Sequence, residues 1–199
     1  MNNEFLHIEN DGKSAIMRLN KPITSDPKTG ITGEMFTKQH DALVDAGVKN
    51  LLVTINSTGG NTFQGWEIYS TIAGSPMNTE TRVVGVSVSM AGVISQAGEK
   101  RTIYSHALFH AHSPRPEKGA NVEKGMLEMV YNQIKNVFTS TSKMDESKVD
   151  NVLSGETFMN AKTAIENGLF DEVITANGAP KISAEMLSLI HISEPTRPY

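Results

Sequence analysis

Gly85-Val86-Ser87-Val88-Ser89-Met90-Ala91-Gly92 carries a short apolar strand into Ser89 and then directly into a helix-compatible segment. A serine at a strand-to-helix junction presents its hydroxyl. The backbone N–H groups that follow it have no intrahelical acceptor and are free to stabilise an oxyanion. Serine alone is a weak nucleophile, so the chain must also supply a base, an orienting group and a second oxyanion donor.

The same unit of strand, turn and helix recurs on both sides of this stretch. Leu51-Leu52-Val53-Thr54-Ile55 is apolar without alternation, as expected of a strand buried on both faces of a parallel sheet. A glycine pair follows it. Phe63, Trp66, Tyr69 and Ile72 are then spaced by three, which predicts a helix with one apolar face. Val83 to Val88 predicts a strand, Met90 to Ala97 a helix, and Arg101–Tyr104 and Ala107–His112 further strands. Upstream, Phe5–Ile8 and Ala15–Leu19 flank the turn-like Asn10-Asp11-Gly12 and predict a β-hairpin. Pro22 to Gly30 is expected to be loop, and Thr32 caps a helix near Gly33–Ala46 that stops at Gly47. Downstream, Met126, Val130, Ile134, Val137 and Phe138 form a stripe on a long predicted helix from Asn121 to Met144. Asn160 caps a helix through Asn167 with Gly168 as its stop, and Leu169 to Ile174 returns as a strand. Alternating strands and helices imply an α/β domain.

With 199 residues the chain suits one domain, here residues 1–178, followed by a tail at 179–199. Residues 189–199 fit nothing before them and resemble translated sequencing-adapter sequence, a resemblance that implies non-native read-through and sets them outside the fold reading. The absence of cysteine excludes disulfides, thiolate-zinc sites and a cysteine nucleophile. The start carries early acids and no basic-then-apolar segment, so no secretory signal is expected. No apolar run approaches the roughly 18 residues of a membrane span. A net charge of −4 with scattered basic residues argues against a nucleic-acid partner. The expected location is the cytoplasm.

His112, closing a strand before Ser113-Pro114, is the candidate general base for Ser89. His106, His110 and His112 share strand parity, but no carboxylate or cysteine completes a metal set, so no metal or cofactor is expected. In Ile55-Asn56-Ser57-Thr58-Gly59-Gly60, glycines allow positive φ and close approach of backbone to a ligand. The Gly60 and Met90 amides are the candidate oxyanion donors. Ser87 competes as nucleophile but lies within the strand, away from any helix-start amide.

These residues resemble a known family. INSTGG at 55–60, GWEIYSTI at 65–72, SVSMAG at 87–92, HAHSP at 110–114 and ETFMNAKTAIENGLFDEVI at 156–174 look like the successive motifs of the ClpP family, the proteolytic subunit of the Clp protease. The resemblance implies a ClpP/crotonase-like fold, a spiral of strand-turn-helix units with a protruding handle helix near 121–144. It places the nucleophile on Ser89, the base on His112, the oxyanion donors on Gly60 and Met90, and the third catalytic residue on Glu156, where the family has aspartate. Asp145, Asp150 and Asp171 are its rivals. Thr58 replaces the motif's proline, Ala91-Gly92 reverses its order, and Arg115-Pro116-Glu117 replaces a leucine-glycine-glycine sequence. These departures resemble the prophage and phage-associated branch. The resemblance further implies stacked homo-oligomeric rings, polypeptide substrates and an ATP-dependent unfoldase partner. Two other readings compete with a serine endopeptidase: acyl-CoA chemistry of the related crotonase superfamily, and a catalytically inactive structural subunit of a ring, motivated by Glu156 and the altered loop after His112.

Overall fold

Strands β1 (His7–Asn10) and β2 (Ser14–Leu19) form the expected hairpin, antiparallel with Asn10 opposite Ala15. Its turn is set by Asp11, whose Oδ1 accepts from the amides of Lys13 and Ser14 at 2.9 and 2.7 Å. The computed structural model describes residues 7–116 and 122–175. Phe5 and Leu6, the tail at 179–199, and Asn121 at the start of the long helix lie outside the described residues.

Helix α1 (Gly33–Asp45) begins where Thr32 accepts the Met35 amide, and buries Phe36, His40 and Leu43. Strand β3 (Asn50–Ser57) pairs parallel with β2 and buries Leu51, Val53 and Ile55. Helix α2 (Thr62–Ala73) follows, capped by Asn61 and burying Ile68 and Ile72. Strand β4 (Asn78–Val88) begins well before the expected Val83. The residues added, Asn78 to Arg82, are polar and carry no apolar signature, yet they stay in parallel register with Asn50 to Thr54 of β3. Side-chain bonds hold them in place: Thr81 Oγ1 donates to the Ser95 carbonyl at 2.7 Å, and Glu80 takes Arg82 and Thr102.

Beyond β4 come α3 (Met90–Ile94), β5 (Lys100–Tyr104) and β6 (Leu108–His110). The length of β4 lets it serve two partners: Glu80 to Val83 pair with β5, and Val86 to Val88 pair with β6. This fork places His110 beside Val88, at the end of the strand that leads into Ser89.

The predicted long helix is present as one element, and a further helix that the apolar spacing did not announce follows it. Helix α4 (Lys124–Thr141) ends where Ser142 turns extended, and α5 (Glu146–Ser154) starts afresh under Asp145, whose Oδ1 accepts the Lys148 amide at 2.8 Å. Of the expected stripe on α4, Ile134 and Phe138 are buried while Met126 remains exposed. Phe138 and Phe170 each meet Phe109 edge-on at 5.9 Å, fastening α4 and the chain before the last strand onto β6. Strand β7 (Phe158–Asn160) runs antiparallel to β6, α6 (Ala161–Glu166) follows with Asn160 as its cap, and β8 (Glu172–Ile174) pairs parallel with β5. The result is a mixed α/β fold around a largely parallel sheet ordered β1-β2-β3-β4-β5-β8, the class expected from the sequence. No helix among the described residues is long and apolar enough to cross a membrane.

Candidate active site

The carboxyl ends of β3, β4 and β6 open at the same place, the usual location of ligand sites in parallel α/β sheets. From these ends come Gly60, Ser89 and His112, which together with Met90 line a cleft of about 80 Å³. Val93, Ala111, Ile134 and Phe138 supply its apolar wall.

Ser89 turns the chain from β4 into α3 with φ 58° and ψ −124°, a conformation costly for any residue but glycine. The surrounding bonds impose it: the Ser89 amide donates to the His110 carbonyl at 3.0 Å, and the Ser89 carbonyl accepts from Gly92 at 2.9 Å. Its side chain makes no capping bond, so Oγ is not committed to the helix. Ser87 lies two residues back, fully buried, with its hydroxyl unpartnered inside the sheet. The turn packs on Gly59, where a Cβ would lie 2.4 Å from the Val88 carbonyl oxygen and 2.8 Å from the Met90 nitrogen. Gly60 is pressed equally hard against Ile23. The Ile23 amide donates to the Gly59 carbonyl and the Asn61 amide to the Ile23 carbonyl, each at 2.9 Å; neither bond uses the Gly60 amide.

His112 Nδ1 lies 2.6 Å from the Ser113 carbonyl oxygen. A carbonyl only accepts, so Nδ1 carries the proton and Nε2 is left as the basic nitrogen. Ser113 is in turn tied to the end of α5, its amide donating to the Leu153 carbonyl at 2.9 Å.

The Glu156 carboxylate is engaged by Arg115, while His112 Nδ1 takes the Ser113 carbonyl. Glu156 occupies the turn between α5 and β7 with φ 50° and is not among the residues lining the cleft. The Glu156 carbonyl accepts from His110 Nε2 at 3.1 Å, which fixes the main chain and leaves the side chain on Arg115. The rival carboxylates are also committed. Asp150 accepts from Tyr131 at 2.6 Å and from Lys135 at 2.8 Å, bonds that hold its pKa below the usual value. Asp171 binds Arg101, and although burial works the other way, those bonds lower its pKa. Asp145 caps α5.

His110 is buried against Phe158, at a ring separation of 3.9 Å, and its Nδ1 has no partner. Desolvation lowers its pKa first, and the neighbouring His112 and Arg115 lower it further. His106 reaches the Val84 carbonyl instead. Among the described residues, no group of three or more His, Cys, Asp or Glu side chains is arranged to hold a metal.

Sequence reasoning missed the Ser113 carbonyl, because a backbone acceptor has no residue signature. It also missed Arg115 as a wall of the cleft, although the departure of Arg115 from the family pattern was a visible signal.

The Clp protease family matches this chain over residues 9–177. The ATP-dependent Clp protease proteolytic subunit of Bacteroides thetaiotaomicron is 30% identical over 140 residues, which is 66% of this chain and 62% of that relative. The extent of the family match, covering every strand and helix that builds the cleft, shows that the chain belongs to the Clp protease family.

Proposed function

We propose that the chain is a serine endopeptidase hydrolysing peptide bonds in unfolded proteins or peptides. One observation carries the reading: Ser89, on a strained turn with no capping bond from its hydroxyl, shares a single cleft with His112, Gly60 and Met90. Ser89 Oγ attacks the substrate carbonyl carbon as its proton passes to His112 Nε2, and the carbonyl oxygen takes the negative charge between the Gly60 and Met90 N–H groups. The proton then moves to the departing amine as the C–N bond breaks, leaving an ester on Ser89. Water, deprotonated by the same nitrogen, attacks the ester and Oγ recovers its proton.

The Ser113 carbonyl maintains the correct tautomer of His112 in the observed state. Glu156 is assigned as the third catalytic residue in the working state, because a carboxylate stabilises the imidazolium better than a neutral carbonyl does. That role requires its carboxylate to leave Arg115. The family supports a setting of stacked homo-oligomeric rings in the cytoplasm. The relative's designation as ATP-dependent supports an unfoldase partner. The departures at Thr58, Ala91-Gly92 and Arg115 support a phage or prophage role, with capsid or scaffold protein as substrate.

Incubation with a fluorophosphonate probe and with casein tests the reading: Ser89 labels and casein is cut, and Ser89→Ala abolishes both. The pairing of Glu156 with Arg115 favours a second reading, a catalytically inactive structural subunit of a ring. A folded, assembled protein that neither labels nor cleaves would establish it.

A further inference from the structure

Among the described residues that line the cleft holding Ser89, Arg115 carries the one permanently charged side chain. Val93, Ile134 and Phe138 form an apolar wall of the same cleft, beside the polar Thr62 and His112. A guanidinium beside an apolar wall has five N–H donors in a fixed fork, a geometry suited to a carboxylate. In the observed state that carboxylate is Glu156. The two side chains are 59% and 53% exposed, and an ion pair so open to water is held weakly and exchanges readily.

We propose that Arg115 is a specificity-determining residue that selects polypeptides carrying aspartate or glutamate beside the cleaved bond. This rests on the reading of the cleft as the peptide site. A substrate carboxylate entering beside Ser89 competes with Glu156 for the guanidinium. There it is less hydrated than at the open surface, because the wall of Val93, Ile134 and Phe138 excludes water from one side of the pair. A neutral isostere in the same place gains nothing from Arg115 and leaves the original pair intact. The exchange also releases the Glu156 carboxylate, so the substrate that Arg115 prefers is the one that frees the third catalytic residue.

The test uses full-length Ser89→Ala protein and fluorescent decapeptides in which one aspartate is walked through the central positions, each matched by an asparagine peptide. At one or two adjacent positions the aspartate peptide binds about five- to ten-fold more tightly than its match at low salt, and the advantage shrinks as salt rises. Adding Arg115→Leu removes the advantage, and adding Arg115→Lys retains part of it. Equal binding of both peptides at every position, including no measurable binding of either, overturns the proposal, as does an advantage that survives Arg115→Leu. Where Arg115→Leu fails to fold, Arg115→Gln, which keeps length and polarity without the charge, takes its place and must likewise lose the advantage. Binding is read without turnover, so the two readings separate: wild-type protein that ignores fluorophosphonate while the aspartate preference holds removes the peptidase and keeps the site. Wild-type protein that labels and cleaves without any aspartate preference does the reverse.

Discussion

The ring of His110 donates its Nε2–H to the main-chain carbonyl of Glu156 at 3.1 Å, while the carbonyl of the same histidine accepts the amide of Ser89 at 3.0 Å. One buried residue thus spans the two ends of the candidate site, its main chain holding the nucleophile turn and its side chain the turn that carries the third residue. Both turns hold a non-glycine residue at positive φ, a conformation that surrounding bonds must offset.

This arrangement makes stability depend on His110 being neutral. Desolvation and then the charges of His112 and Arg115 put its folded pKa below the ordinary 6.5. Between the lowered folded value and 6.5, the unfolded chain binds more protons than the folded one. Stability is therefore full above pH 6.5 and is lost as pH falls toward the folded pKa. Urea denaturation between pH 7.5 and 5 checks this. His110→Phe keeps the packing on Phe158, costs about 1 kcal/mol at neutral pH for the lost hydrogen bond, and flattens the slope over this range.

Glu156→Gln removes the charge while keeping the size. In the proposed mechanism it lowers kcat about a hundred-fold with KM little changed, because the loss is confined to the charged imidazolium stage. Steady-state kinetics on a fluorogenic peptide gives the answer. An unchanged kcat assigns the orientation of His112 to the Ser113 carbonyl alone.

Gly59→Ala adds a methyl group where the Val88 carbonyl oxygen and the Met90 nitrogen already stand at 2.4 and 2.8 Å, at a φ of 80° that disfavours alanine. The combined overpacking and backbone strain costs about 3 kcal/mol. The Ser89 turn must also shift. Thermal denaturation falls, and fluorophosphonate labelling of whatever folds is lost with it.

Asp171→Asn breaks the pair with Arg101 that ties β5 to the chain entering β8. With the carboxylate 39% exposed, solvent screening limits the cost to about 1 kcal/mol. The native Asp171 pKa lies below 3.8, so its contribution is present above that value and is lost as pH falls through the folded pKa. Acid unfolding of the variant shows a correspondingly shallower dependence below pH 4.

Much of the fold was legible because local chemistry and tertiary packing agree. The unbroken apolar run Leu51 to Ile55 lies inside β3, Thr32 and Asn160 cap the helices they were expected to cap, and Gly47 and Gly168 sit at positive φ just past helix ends. Helix α5 was not legible, because only Val149, Val152 and Leu153 mark its buried face and its Asp145 cap resembles any acidic loop residue. The first half of β4 was hidden because its polar side chains satisfy one another only after β5 is alongside.

By itself the sequence determined an alternating strand and helix order, a serine at a strand-to-helix junction, a histidine after a strand and a glycine pair that admits close backbone approach. These are local properties, set by side-chain pattern and φ preference. The tertiary structure alone decided that the ends of β3, β4 and β6 meet in one cleft, that Ser113 and not a carboxylate holds His112 Nδ1, and that Arg115 takes Glu156. Each of these depends on which of several equivalent acceptors or charges comes closest once the sheet has assembled. Residue identity cannot encode that choice, because a carbonyl is present at every position and every carboxylate attracts every guanidinium.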